Sequence, residues 1–259
     1  YTNTSGTALN YVIDNTGSSL TFTPVTLPQT STNNGVMANA VASPTANLFS
    51  LEVNNTNAVG VTLNSPISIS GTLTMTSGFI NTTDSNLLTL GTATVAGTLA
   101  GTPSDTNMVR GPFARTIANA NANTNYILFP VGKTTYAPVW AAPATTAVSV
   151  MKAETFDTNT GTQSAAISNM ATNRRWELPL VSGTINNINV RLGDAGVLAT
   201  SIPVQAPSAS GEYTSTFGAV ATAVVGVSTQ SNTPVLSASY TGYLSYADSK
   251  PWVGVPPLG

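Results

Sequence analysis

Apolar residues in the stretch GVTLNSPISISGTLTMTSG, residues 60–78, come in pairs spaced by two. The pairs are Val61/Leu63, Ile67/Ile69 and Leu73/Met75. Side chains two residues apart on a β-strand lie on the same face, so each pair predicts a short strand with one buried face. Since Asn, Gly, Ser and one Pro stand between the pairs, we expect the chain to turn after each short strand.

The same spacing recurs outside this stretch at intervals of 21 to 22 residues. Such an interval equals about one turn of a β-solenoid, in which short parallel strands stack on one another. The matching positions are Leu51/Val53 with Leu73/Met75, Ile67/Ile69 with Leu88/Leu90, and Val59 with Ile80. An antiparallel sandwich with hairpins of similar length is the alternative, because alternation alone does not distinguish parallel from antiparallel pairing.

Composition favours an all-β protein. Charged residues make up only 7% of the 259 residues, whereas the hydrophobic fraction of 41% is ordinary, and this combination does not fit an intrinsically disordered chain. Threonine occupies 42 positions, and its branched Cβ suits strands. The chain has no Cys and no His, which excludes disulfides, thiolate or imidazole metal ligands, and catalysis that depends on a thiol or an imidazole.

Charge divides the chain near residues 101–110. Residues 1–108 contain four acidic residues and no Lys or Arg, whereas residues 109–259 hold all eight basic residues. A shift of this kind, together with the turn residues GTPSDTN, predicts a boundary between two structural regions. The predicted regions are N-terminal strands and a connector at 1–47, a β-solenoid at 48–104, a β-sandwich at 105–248 and a Pro-rich arm at 249–259.

The sequence of residues 105–248 predicts an antiparallel β-sandwich. Ile188, Val190 and Leu192 alternate with Asn189 and Arg191, as expected for a strand with one buried and one solvated face. Further strand-like segments follow at intervals typical of sandwiches. The predicted fold is therefore all-β, with a short β-solenoid followed by an antiparallel β-sandwich.

Three tripeptides read Asp-Ser/Thr-Asn, at residues 84–86, 105–107 and 157–159. The last one places Asp157 and Asn159 at alternate positions, which makes them candidate calcium ligands. However, the twelfth position of this segment is Ser168 and not the Glu that closes a helix–loop–helix calcium site. Asp and Asn also cap their own turns, so a turn is the favoured interpretation and we expect no metal or cofactor.

No pattern in the sequence predicts catalysis. Glycoside hydrolysis needs two carboxylates across a sugar bond, and near the aromatic strands only Glu154, Asp157 and Glu177 are available. Sparse acids of this kind are normally solvated, so we expect no enzyme activity and assign no catalytic residue. The RRW segment at 174–176 is either a sugar or anion site with Trp176 as a stacking platform, or a buried tryptophan anchor, which is the favoured interpretation.

The order of motifs along residues 45–248 resembles modules of large secreted surface proteins of Bacteroidota. The motifs are GVTLNSPISISGTLTMTSG, NLLTLG, VRGPFARTI, FPVGKTTYAPV, RRWELP and SYTGYLSYAD. These relatives are adhesin-like and gliding-associated repeat proteins exported by the type IX route. Arg110 stands where that family has the Asn of a VNGP turn, and Ala137 where it has the Arg of YRPV. The resemblance implies an extracellular, repeat-built protein and carries over no catalytic residue.

We expect a structural surface protein, the subunit of a fibre, filament or adhesin stalk that assembles with copies of itself through strand edges and extended termini. A glycan-binding adhesion module is the alternative. The candidates for assembly or ligand contact are Trp252, Tyr136, Tyr213, Tyr11, Val12 and Ile13. The strand around Tyr11 either closes the solenoid or pairs with a neighbouring subunit.

Other partners are disfavoured by the sequence. A net charge of −2 argues against nucleic acid, which needs a basic surface. No apolar run is long enough to span a bilayer. The chain begins at Tyr1 without Met, so we expect a processed chain or a fragment of an extracellular protein.

Overall fold

The structure is a computed structural model that describes residues 10–15, 36–37, 46–55 and 58–250. Within these ranges it contains β-strands, one short 3-10 helix at Ser237–Ser239 and no α-helix. The all-β prediction is therefore confirmed. In the described part of the chain, no helix is long and apolar enough to cross a membrane.

The first part of the chain forms a three-sided parallel solenoid. Its strands are β1 (Asn10–Asn15), β2 (Val36–Met37), β3 (Ala46–Leu48), β4 (Ser50–Asn55), β5 (Val61–Leu63), β6 (Ile67–Ile69), β7 (Thr72–Ser77), β8 (Ile80–Asn81), β9 (Leu88–Leu90), β10 (Thr98–Gly101), β11 (Val109–Arg110), β12 (Phe113–Ile117) and β14 (Val131–Gly132). Strand β13 (Ile127–Phe129), which precedes β14 in the chain, belongs to the sandwich. Every third strand joins the same sheet, in the orders β1-β4-β7-β10, β2-β5-β8-β11-β14 and β3-β6-β9-β12. The solenoid prediction is confirmed: the stacked turns extend over residues 51–132, and β1, β2 and β3 continue the three sheets at the N-terminal end.

The strand register confirms most of the predicted stacking. The aligned pairs are Leu51 with Leu73, Val53 with Met75, Ile67 with Leu88, and Ile69 with Leu90. The predicted match of Val59 with Ile80 is wrong, because Ile80 aligns with Val61. The chain turns at Gly60, which has a φ of +78°, so Val59 lies outside the strand and is 64% exposed.

The second part of the chain forms two antiparallel sheets. Its strands are β15 (Val139–Thr145), β16 (Ser149–Phe156), β17 (Thr162–Gln163), β18 (Ile167–Ser168), β19 (Arg175–Glu177), β20 (Leu180–Ser182), β21 (Ile185–Gly193), β22 (Ser201–Ala206), β23 (Glu212–Tyr213), β24 (Ala221–Val224), β25 (Ser228–Ser231), β26 (Val235–Leu236) and β27 (Tyr243–Ser249). One sheet has the order β13-β15-β21-β25-β24, with β26 beside β21. The other continues from β12 through β16, β19, β27 and β18, with β20 beside β16 and β22 beside β27. Strands β17 and β23 belong to neither of these sheets and form a separate two-stranded parallel sheet. The sandwich prediction is thus confirmed.

Strand β12 joins the solenoid to the sandwich. It pairs in parallel with β9 of the solenoid and antiparallel with β16 of the sandwich. One cluster of buried apolar side chains runs from Leu51 in the first solenoid turns to Trp176 and Leu244 in the sandwich. The change in charge near residues 101–110 therefore does not coincide with a break in the sheets or in the core.

Arg115 secures this junction. Its side chain is buried, and its guanidinium donates to the carbonyl of Leu128 at 2.7 Å and to that of Gly97 at 3.1 Å. Burial lowers the pKa of Arg115 to about 10. Since Gly97 precedes β10 and Leu128 lies in β13, one buried cation links a loop of the solenoid to the sandwich.

Candidate functional site

The candidate calcium ligands lie in a turn whose polar atoms are bonded within the chain. One carboxylate oxygen of Asp157 pairs with Arg174, and the other accepts a hydrogen bond from the backbone N–H of Thr134 at 3.1 Å. Asn159 donates to the carbonyl of Ala171 at 3.0 Å and caps its own turn through Oδ1. No cluster of three or more metal-ligating side chains occurs among the described residues.

Arg174 is the centre of a buried polar network. Its Nε donates to the carboxylate of Asp194 at 2.5 Å, Nη1 pairs with Asp157, and Nη2 donates to Thr135 Oγ1 at 2.9 Å. The hydroxyl of Tyr246 also donates to Asp194, at 3.0 Å. Asp157 follows β16, Asp194 follows β21, Arg174 precedes β19, and Tyr246 lies within β27. Because β21 belongs to one sheet and the other three strands to the second, the network links the two sheets.

The pKa values in this network reflect its charges. Burial alone would raise the pKa of Asp157, but hydrogen bonds from Thr134 and the positive charge of Arg174 outweigh it, so the pKa lies below its ordinary value. Burial raises the pKa of Tyr246, and the negative charge of Asp194 raises it further. The folded state therefore favours an ionised Asp157 and a neutral Tyr246.

The other acids near the aromatic strands are paired with cations on the outer face of β16 and its neighbours. Glu154 and Glu177 lie opposite each other on β16 and β19. Lys133 binds Glu154 at 2.7 Å and Arg175 binds Glu177 at 2.5 Å. Arg175 also lies over the ring of Phe156, 3.6 Å from its centroid. This arrangement is a charge-neutral strip of paired side chains.

Trp176 is part of the core. Its side chain is fully buried, and Nε1 donates to the carbonyl of Ala137 at 2.8 Å. Its ring packs beside that of Tyr246, with 6.2 Å between centroids. The favoured interpretation of the RRW segment is confirmed, and Trp176 is not a stacking platform for a ligand.

The structure describes two of the three aromatic residues predicted to contact a ligand. The prediction that Tyr213 is an exposed contact residue is wrong, because its side chain is fully buried. Tyr136 is half-buried, and its backbone N–H donates to the carboxylate of Asp105 at 2.6 Å. Trp252 lies outside the described residues. Neither Tyr136 nor Tyr213 lines a described surface groove.

The N-terminal candidates belong to the solenoid of their own chain. Tyr11, Val12 and Ile13 lie in β1, which pairs in parallel with β4. Tyr11 aligns with Leu51 and Ile13 with Val53. Of the two arrangements expected for this strand, the structure has the one that adds a turn to the solenoid.

Replacing Tyr213 tests how a buried hydroxyl without a hydrogen-bond partner affects the stability of the fold. Its hydroxyl is buried and has no hydrogen-bond partner among the described residues, a state that costs about 1–3 kcal/mol. We expect Tyr213→Phe to raise the free energy of unfolding by about 1 kcal/mol, as measured by urea denaturation. Tyr246→Phe is the matched control and should lower it, since it removes a hydrogen bond to Asp194.

The Tyr213→Phe variant should also differ from the wild type at high pH. Burial raises the pKa of Tyr213 to about 12, above the unfolded value of about 10. The stability that this shift contributes is complete below pH 10 and is lost as the pH rises through the folded pKa. Tyr213→Phe should therefore reduce the alkaline loss of stability, and an unchanged slope of stability against pH between about 10 and 12 would contradict the assignment.

Strand β24 forms an uncharged edge of the sandwich. Within the described chain it pairs with β25 alone. Val224 in β24 and Val225 and Val227 in the following turn are 52%, 62% and 57% exposed, and Val220 before the strand is 70% exposed. No charged residue occurs between residues 213 and 247. This edge therefore combines exposed apolar side chains with unpaired backbone groups.

A polar groove is lined in part by strand β25 of the same hairpin. It has a volume of about 410 Å³, and its lining residues are Asn123, Thr124, Tyr126, Asn189, Gln230, Ser231 and Asn232. Four of the seven carry side-chain amides, three carry hydroxyls, and none is charged at neutral pH. We name this site the amide groove. Sequence reasoning missed it, because its residues come from three separate segments.

Hydrogen bonds fix several side chains of the amide groove. Gln230 Oε1 accepts from Arg191 Nε at 2.8 Å, and Asn232 Oδ1 accepts from the hydroxyl of Thr222 at 2.9 Å. Asn123 donates from Nδ2 to Asn187 Oδ1 at 2.9 Å. The orientation of these three amides is thus set by partners outside the groove, whereas Asn189 bonds to the groove residues Asn123 and Ser231.

Arg191 supports the aromatic wall of the groove. Its guanidinium lies 4.9 Å from the ring centroid of Tyr126 and 5.5 Å from that of Trp140. The hydroxyl of Tyr126 is turned towards the carbonyl of Ser231, at 3.4 Å. These contacts hold the Tyr126 ring in place as the one aromatic side chain that lines the groove.

Comparison with known proteins gives no match for this chain, whether with protein-family models, with curated protein sequences or with solved structures.

Proposed function

We propose that this chain is a structural module of an extracellular surface fibre or adhesin stalk, and that it assembles with copies of itself through strand edges. The observation that carries the proposal is the edge strand β24, with the exposed Val224, further exposed valines before and after the strand, and no charged residue. Soluble proteins normally protect such edges with charged residues, proline or bulges, because an open edge pairs with other strands. An edge without these features suits strand addition between subunits.

The solenoid offers a second set of edges. Among the described strands, β1, β2 and β3 each stand at the end of one parallel sheet. All three belong to the same end of the solenoid, whereas the opposite end continues through β12 into the sandwich. Stacking of repeats end to end is how solenoid proteins bury their faces, which supports assembly along the solenoid axis.

The low and internally paired charge also favours assembly. The net charge is −2 over 259 residues, so copies repel one another only weakly. Lys133, Lys152, Arg174 and Arg175 pair with acids of the same chain. The extracellular location and the Bacteroidota type IX origin in this proposal rest on the resemblance of the sequence motifs alone, and the proposal includes no catalytic step.

A lysine in the edge strand tests the proposal. Val224→Lys places a charge on the exposed side of β24, and a charged edge residue blocks strand addition. We expect the wild-type chain to form filaments at high concentration and the variant to form none, although it can still pair through the solenoid end, as seen by electron microscopy and analytical ultracentrifugation. Val95→Lys is the matched control, because Val95 is 56% exposed and lies in a solenoid turn.

Circular dichroism should give the same β-sheet spectrum for all three proteins, since both substitutions are at exposed positions. The proposal fails if the wild-type chain stays monomeric at high concentration. It also fails if Val224→Lys and Val95→Lys assemble equally well.

A further inference from the structure

We infer that the amide groove is a binding site for a neutral carbohydrate. This inference goes beyond the proposed assembly, because the groove is lined by side chains and does not need an open strand edge. Its volume of about 410 Å³ falls within the range of about 300–1,000 Å³ that is typical of small-ligand sites.

The groove presents both donors and acceptors in fixed positions. Gln230 Oε1 accepts two hydrogen bonds from Arg191, so the NH₂ donors of this amide remain. Asn232 Oδ1 accepts from Thr222, which leaves its NH₂ donors and one lone pair. Asn123 is oriented the opposite way, since its Nδ2 is used and its Oδ1 acceptor remains. Preorganised polar groups of this kind bind a ligand at a lower entropic cost.

A sugar satisfies this set of groups. Each sugar hydroxyl both donates and accepts, so adjacent hydroxyls match amide donors beside an amide acceptor. Thr124 adds a hydroxyl of the same dual character. Tyr126 supplies an aromatic surface for the apolar C–H face of a sugar ring, which fits the usual combination of aromatic and precisely placed polar groups in ligand sites.

Charge and backbone pairing disfavour other ligand classes. No Lys, Arg, Asp or Glu is among the seven lining residues, so the groove has no partner for a phosphate or a carboxylate. Strand β25, which supplies Gln230 and Ser231, is paired on both sides, with β21 and with β24. A peptide therefore cannot add to it as a strand.

The test begins with an array of immobilised oligosaccharides. The array should carry neutral glucose, galactose, mannose and N-acetylglucosamine oligomers, with sialylated and sulfated sugars as charged comparisons. We expect the wild-type chain to bind one or more neutral sugars, and isothermal titration calorimetry with the strongest binder then gives the dissociation constant.

Two exposed lining residues provide the variants. Asn232→Ala should weaken binding about five-fold, as expected for the loss of one hydrogen bond. The double variant Thr124→Ala/Asn232→Ala should weaken it about 25-fold, if the two losses add. Asn173→Ala is the control, since Asn173 is exposed and does not line the groove, and it should bind like the wild type.

The outcomes separate this inference from the assembly proposal. Asn232→Ala should assemble as the wild type does, and Val224→Lys should still bind the sugar. The inference is overturned if no neutral sugar binds at millimolar concentration, if only charged sugars bind, or if the double variant binds as tightly as the wild type.

Discussion

Arg174→Ala should lower the free energy of unfolding by about 3–5 kcal/mol, which is the usual result of removing one partner from a buried ion pair. The substitution leaves the carboxylate of Asp194 in the core with its cation gone, and Asp194 is only 7% exposed. It also removes the donors to Asp157 and Thr135. Urea denaturation followed by tryptophan fluorescence measures the loss.

Asp157→Asn is the matched comparison for Arg174→Ala. Asp157 is partly exposed, whereas the side chain of Arg174 binds two carboxylates. Asp157→Asn should therefore lower the free energy of unfolding less than Arg174→Ala does. If the two variants are equally stable, the buried pair with Asp194 contributes little and the assigned role of Arg174 is wrong.

The network also predicts an acid dependence. The folded pKa of Asp157 lies below its unfolded value, so the stability from this shift is present above the unfolded pKa of about 4 and is lost as the pH falls through the folded pKa. Arg174→Ala removes the cation that contributes to the shift. The variant should therefore lose less stability than the wild type between neutral pH and about pH 3.

Trp176→Ala should lower the free energy of unfolding by about 3–5 kcal/mol, because it leaves a large cavity in the core. The indole is fully buried, and it also donates a hydrogen bond to the carbonyl of Ala137. Thermal denaturation followed by circular dichroism should show a clearly lower melting temperature than that of the wild type.

Trp140→Ala is the control for Trp176→Ala. Trp140 is half-buried on the outer face of β15, where it contacts Arg191. Trp140→Ala should therefore lower the free energy of unfolding by less than half as much as Trp176→Ala. Trp176→Phe keeps most of the packing and should fall between the two. Equal losses in Trp140→Ala and Trp176→Ala would contradict the position of Trp176 in the core.

The solenoid could be predicted from the sequence where its turns are uniform. Leu51, Leu73, Ile67 and Leu88 repeat at 21 to 22 residues because each turn buries the same inward positions. The next turn is longer, and its aligned positions are 25 to 29 residues apart. Extra turns such as the one at residues 92–95 lengthen it, and turns of variable length leave no periodic signal.

The amide groove could not be predicted because strand register creates it. Asn123, Asn189 and Gln230 are far apart in the sequence, and they come together through the pairing of β21 with β25 and the hydrogen bond from Asn189 to the Asn123 carbonyl. Polar residues on a strand normally indicate only a solvated face. Tyr213 was misassigned for a related reason, since its strand has two residues and no alternation to indicate which side is buried.

Strand β12 has a thermodynamic consequence for the whole chain. Its five residues are all buried, and it is hydrogen-bonded to the solenoid on one side and to the sandwich on the other. Unfolding of either half would remove one of the two neighbours of β12 and expose Phe113 to water. The stabilising free energy from burial of this side chain would then be lost. Since neither half can open without weakening the other, we expect the described solenoid and sandwich to unfold as one cooperative unit despite their different composition.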